Sequence, residues 1–140
     1  MEKLREMLTR HEGKKNKPYE DTNGQLHIGI GRNLASMGIS DEECMVLLDN
    51  DLVRCMKECA SAFPFFSTLD QTRQDVVVML CFSMGLTRLR GFKLMLAALE
   101  SGDTDTAAKE MVDSRWATQV GQNRSSELYS MMATGNYPDE

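Results

Sequence analysis

Long apolar runs are absent from the 140-residue sequence. Nothing approaches the roughly 20 consecutive apolar residues of a bilayer-spanning helix, which excludes membrane insertion by that route. The N-terminal stretch MEKLREMLTRHEG lacks the apolar core of a signal peptide. The chain is therefore expected to be made in a cytoplasm and to need release before acting outside it. Basic runs are absent too. The net charge is −5, and affinity for nucleic acid comes largely from neutralising phosphates, so DNA and RNA drop out as partners. The four cysteines, Cys44, Cys55, Cys59 and Cys81, form no C-x-x-C pair, and no histidine stands at metal-ligand spacing from them. Cys55 and Cys59 share a helix face at i,i+4, which could be half of a zinc site. Small, reduced, buried thiols are the simpler reading, and neither metal nor cofactor is expected. A chain of this length can bury a core without such staples. Repeats and low-complexity tracts are missing as well.

What is present begins with Leu4, Met7, Leu8 and His11, spaced i, i+3, i+4, i+7, which predicts an amphipathic helix ended by Gly13. Asn23-Gly24 between two strand-like runs is a strong hairpin signal. Ser40-Asp41-Glu42-Glu43 forms a capping box that opens a long helix running to about residue 62, before Pro64. From Thr68 onward the pattern is helical, with stops at Gly85, Gly102 and Gly135. The eleven methionines fit pliable core filling better than a ligand surface. These signals give an α+β chain: a small β lobe at 13–39, a connecting helix at 40–62, and a helical lobe at 63–140 on which residues 1–12 pack. Ligands tend to bind where two such lobes meet.

The stretch QLHIGIGRNL, residues 25–34, alternates Leu26, Ile28 and Ile30 with His27, Gly29 and Gly31. A period of two predicts a strand, with the aliphatic side chains on one face. The other face would carry His27 and two glycines, as if making room for a ligand beside the histidine. Glu12 precedes the helix-ending glycine. The negative end of the helix dipole would raise its pKa, as would partial burial against the hairpin. A carboxyl group kept protonated near neutral pH suits a general acid. Asp21 heads the turn Asp21-Thr22-Asn23-Gly24, where an aspartate can equally serve its own backbone. One acid in a pKa-raising place and one in a polar turn, bracketing a glycine-lined strand, match the two-carboxylate chemistry of glycoside hydrolysis.

The order HEG…PYEDTNGQLHIGIGRNL resembles the phage-type lysozymes, the muramidases with which phages open bacterial walls. That family's site is a Glu, an Asp after eight intervening residues, and a Thr after five more. Glu12 and Asp21 match the first two, and His27 stands at the position of the threonine. The similarity continues through GISDEE, LDNDL, FSMG, GDTDTAAKEMVDSRWATQVG and NR, covering nearly the whole chain. It implies one lysozyme-like domain with an active-site cleft between a β lobe and a helical lobe. The family threonine helps hold the attacking water in an inverting mechanism. One extra residue precedes Arg124 in QVGQNR compared with the family's usual pattern. An acidic chain is also unusual for a family that attacks an anionic wall.

The expected activity is hydrolysis of the β-1,4 bond between N-acetylmuramic acid and N-acetylglucosamine in bacterial peptidoglycan, by a monomer. Glu12 would protonate the leaving oxygen, and Asp21 would stabilise the oxocarbenium-like centre and position water. His27 would be an auxiliary base or a nucleophile. Gly29 and Gly31 would give clearance to the glycan. By the resemblance Phe82, Arg115 and Arg124 would line the cleft, with Arg124 paired to Glu12. Trp116 is expected in the core. The rival reading is a wall-binding or regulatory protein that kept the fold and lost turnover.

Overall fold

The computed structural model describes residues 1–139; residue 140, the end of the expected helical lobe, lies outside them. Helix α1, Glu2–Glu12, leads into three strands, β1 Lys15–Glu20, β2 Leu26–Gly29 and β3 Arg32–Asn33. Two helices follow, α2 Leu34–Met37 and α3 Asp41–Ala62, then a 3-10 turn at Phe66–Thr68. The remainder is α4 Gln71–Met84, α5 Leu86–Arg90, α6 Lys93–Ser101, α7 Thr104–Val112, α8 Arg115–Val120 and α9 Gln122–Thr134. The sheet is antiparallel in the order β1-β2-β3. The chain divides into two compact units, Met1–Leu47 and Leu48 onward, with the boundary inside α3.

In the first unit the hairpin turn is built by Asp21 and Gly24. The Gly24 N–H donates to the Asp21 carbonyl at 3.0 Å, and Gly24 has φ 78°. A turn followed by a left-handed glycine makes a three-residue loop, with Asp21 and Gln25 opposed at its base. The capping box forms as its sequence predicts: the Ser40 hydroxyl accepts from the Glu43 N–H at 3.1 Å, and the Glu43 carboxylate accepts from the Ser40 N–H at 2.9 Å. Arg32 donates to the same carboxylate at 2.6 Å, tying β3 to the start of α3. Ile28 and Ile30 line an open groove of about 870 Å³ with Leu34, Ile39, Val46 and Leu47. Helix α1 groups with this unit. Only Gly13 and Lys14 separate it from β1, so the connection holds it to the hairpin. Its apolar residues Leu4, Met7 and Leu8 are all exposed.

The second unit holds every fully buried side chain among the described residues. Helix α4 is its centre, with Val76, Val77, Val78, Leu80 and Cys81 buried around most of its circumference; a helix apolar on all sides belongs inside a bundle. Cys55 and Cys59 of α3, Met95 and Leu99 of α6, Met111 of α7 and Met132 of α9 pack into the same cluster. Trp116 is in that core, its indole N–H donating to the Ser83 hydroxyl at 3.3 Å. Helices expected to run on are interrupted. DTAAKEMVDSRW, one helical run by pattern, breaks after Val112 and resumes at Arg115. The Ser114 hydroxyl donates to the Met111 carbonyl there at 2.7 Å, serving the backbone at the break. Helix α9 starts at Gln122, directly behind Gly121 with φ 89°.

Candidate active site

Glu12 ends α1, where Gly13 at φ 77° donates its N–H to the Thr9 carbonyl at 2.9 Å. The glycine turns the chain immediately after Glu12 and leaves its side chain exposed, so the partial burial expected for it is absent. Its carboxyl group lies against the turn between β2 and β3. A Cβ placed on Gly31 would stand 3.0 Å from Glu12 Oε2 and 3.2 Å from its Cδ.

The strand expected across this stretch is shorter than its apolar alternation. The strand does not continue to residue 31: β2 ends at Gly29, and β3 returns with Ile28 opposite Arg32 and His27 opposite Asn33. Gly29 has φ 69° and Gly31 φ 77°, backbone that side-chain-bearing residues rarely adopt. Both glycines are there because the chain reverses, so the apolar alternation breaks before Ile30. Nothing lies within 4 Å of a Cβ on Gly29. The space that Gly31 leaves is filled by Glu12.

Asp21 uses its two carboxylate oxygens differently. Oδ1 accepts from the backbone N–H of Asn23 at 2.8 Å and of Gln25 at 3.0 Å, the turn-capping role. Oδ2 accepts from His27 Nε2–H at 2.8 Å. The Gln25 amide first, then His27, hold the Asp21 carboxyl below its ordinary range, with burial opposing them and the Asn23 amide adding a lesser lowering effect. Asp21 is thus the ionised partner. With Nε2 carrying the proton toward Asp21, the lone pair of a neutral His27 sits on Nδ1. The His27 side chain is 18 % exposed and that of Asp21 29 %, so water reaches both. Asn33, across from His27, donates to the Gln25 side-chain oxygen at 2.6 Å and so braces the residue whose amide holds Asp21.

Tyr19 completes this wall. It lies opposite His27 on β1, and the two rings stack with centroids 5.6 Å apart and planes 28° apart. The Lys15 ammonium sits over the Tyr19 ring, 5.8 Å from its centroid. Tyr19 is the residue that the sequence pattern missed. The signal was the hairpin register: a two-residue Asn-Gly loop would set Glu20 opposite His27, and the three-residue loop sets Tyr19 there.

Glu12, Asp21, His27, Gly29 and Gly31 all belong to the first unit, whereas Phe82, Arg115 and Arg124 belong to the second. Phe82 is 46 % exposed near the end of α4. Arg115 opens α8 and lines a pocket of about 380 Å³ with Met84, Arg88, Phe92, Trp116 and Gln119. Arg124 is exposed in the first turn of α9. Neither Arg115 nor Arg124 forms an ion pair among the described residues. No cluster of three His, Cys, Asp or Glu side chains among the described residues is placed to hold a metal ion.

The family described as phage lysozyme matches residues 9–131, which include Glu12, Asp21 and His27. The chain belongs to the phage lysozyme family. The chain is also similar to probable T4-type lysozyme 1 of Dictyostelium discoideum, 30% identical over 94% of each chain. A second protein of that organism, probable T4-type lysozyme 2, is 26% identical over 94% of each chain. The pre-baseplate central spike protein Gp5 of Enterobacteria phage T4 is 29% identical over 95% of this chain and 28% of its own length. As a phage lysozyme the chain is a glycoside hydrolase of lysozyme-like α+β fold. This phage lysozyme carries a carboxyl group at the end of α1 and a carboxylate–imidazole pair on its hairpin.

Proposed function

We propose that the chain is a muramidase that hydrolyses the β-1,4 bond between N-acetylmuramic acid and N-acetylglucosamine in bacterial peptidoglycan, after release from the cytoplasm in which it is made. Glu12 gives its proton to the leaving glycosidic oxygen as the C1–O bond breaks. Asp21, ionised, stabilises the positive charge that develops at C1. A water attacks from the opposite face, and its proton passes to Nδ1 of His27 while Nε2–H stays on Asp21. The product then has inverted configuration. Phe82, Arg115 and Arg124 take part in holding the glycan.

The observation that supports this reading most directly is the 2.8 Å bond between His27 Nε2 and Asp21 Oδ2. A histidine held by an ionised carboxylate through one nitrogen is a base through the other. It stands at the position where the family resemblance puts the water-holding threonine. The test is clearing of isolated cell walls followed by turbidity. The wild-type chain is expected to clear them, and Glu12→Gln to lower the rate at least about 10²-fold with its melting curve unchanged. Saturable wall binding without clearing by the wild type would instead make the chain a wall-binding protein that has lost turnover.

A further inference from the structure

A single hydrogen bond at Nε2 does not fix an imidazole. The ring can still turn about its Cβ–Cγ bond, where the torsional preference is broad, and swing about the Nε2–Asp21 contact. Each movement re-aims Nδ1. We propose that Tyr19 is the positioning residue of this site, its ring stacked against His27 so that Nε2–H stays on Asp21 and Nδ1 keeps one direction. Three observations carry this. Tyr19 and His27 are directly opposed on β1 and β2, so their side chains leave the sheet on the same face. Their rings meet at 5.6 Å and 28°, an offset-stacked arrangement within the favourable range. The Tyr19 hydroxyl makes no hydrogen bond among the described residues, so the ring and not the hydroxyl is what His27 feels. The tyrosine is itself held where it is by Lys15 over its face, four residues back on the same strand.

The ring-holding role stands on the geometry of the hairpin, and its consequence for rate rests on the muramidase reading above. Both are read in one experiment on the full chain with 15N-labelled histidine. NMR reports which ring nitrogen of His27 carries the proton, with His11→Gln used to assign the two histidines, and kcat and KM are measured on solubilised wall. Tyr19→Phe is expected to keep the Nε2–H form and kcat within about twofold. Tyr19→Leu, which a strand accepts, is expected to mix the two tautomers and lower kcat about tenfold with KM unchanged. Two results overturn the proposal. One is a Tyr19→Leu chain with the wild-type tautomer. The other is a Tyr19→Phe chain as damaged as Tyr19→Leu, which would make the hydroxyl the active group. A wild-type chain that does not cleave wall sinks the muramidase reading alone, because the tautomer comparison still decides what Tyr19 does.

Discussion

Gly31 and Glu12 share one space: the position of a Cβ on Gly31 is 3.0 Å from the Glu12 carboxyl oxygen. Gly29, two residues earlier, has the same left-handed backbone with open space around it. The two glycines therefore separate backbone strain from displacement of the acid. Gly31→Ala and Gly29→Ala are each expected to cost about 1–2 kcal/mol of stability, the penalty for a left-handed side-chain-bearing residue. Only Gly31→Ala pushes Glu12 aside. Its wall clearing should fall about tenfold or more, while Gly29→Ala clears at close to the wild-type rate below its melting temperature. Equal activity of the two variants would show that the Glu12 position tolerates the shift.

Those glycines also show where the sequence was legible and where it was not. Elements with local signals were readable: the cap at Ser40 and Glu43, the stop at Gly13, and the long helix ending before Pro64 are all set by residues within a few positions of each other. The Glu12 and Asp21 spacing was readable for the same reason, as a pattern along the chain. The role of Gly31 was not. Alternation of apolar residues is the same whether the strand continues or reverses, and only the tertiary fold brings Glu12 to the turn. Tyr19 was hidden by one residue of register, because a loop of two and a loop of three put opposite faces of β1 against His27.

Acid should loosen the first unit through two carboxylates. Hydrogen bonding from Arg32, then from the Ser40 amide, holds Glu43 at about 2, against an ordinary 4.5, and the Asp21 carboxyl is also lowered from 3.8. A depressed carboxylate pKa adds stability that is fully present above the unfolded value and is lost as pH falls through the folded one. The wild-type melting temperature is therefore expected to decline as pH drops from about 4.5 toward 2. Glu43→Gln removes the larger of these contributions. It should start lower at pH 7 and fall less steeply over the same window. A pH–melting curve for Glu43→Gln parallel to the wild type would show that the Arg32–Glu43 contact adds nothing across its titration.

The four thiols should differ sharply in reactivity. All are free, Cys44 exposed and Cys55, Cys59 and Cys81 buried. Burial pushes Cys59 up to about 11 and Cys81 upward as well, so the reactive thiolate is scarce at neutral pH. The Cys81 thiol donates to Glu58 at 3.5 Å, and that of Cys59 to the Val77 carbonyl at 4.0 Å. Titration of the native chain with a disulfide reagent is expected to show one fast thiol, lost in Cys44→Ser, and four thiols after denaturation. Wall clearing should survive full labelling of Cys44. Two or more fast thiols in the native chain would mean that the α3–α4 core opens readily.

His27 can be interrogated by what each replacement keeps. His27→Thr restores the residue of the family pattern, with a hydroxyl for holding water and no base. His27→Phe retains an aromatic ring to stack on Tyr19, with no nitrogen at all. If the Asp21–His27 pair takes the proton of the attacking water, the wild type and His27→Thr should both give the inverted anomer, read by NMR immediately after cleavage. His27→Phe should keep its melting temperature within a few degrees and lose about tenfold or more in kcat: complete loss of a general base costs roughly 10²-fold or more, and here Asp21 remains to supply part of that role. It leaves one oxygen of Asp21 without its 2.8 Å donor, so the carboxylate stays ionised through the Asn23 and Gln25 amides alone. A retained anomer from the wild type and an inverted one from His27→Thr would instead make His27 the nucleophile, attacking C1 through the nitrogen that Asp21 leaves free. Wild-type kcat in His27→Phe would remove the histidine from the chemistry and leave Asp21 to hold the water by itself.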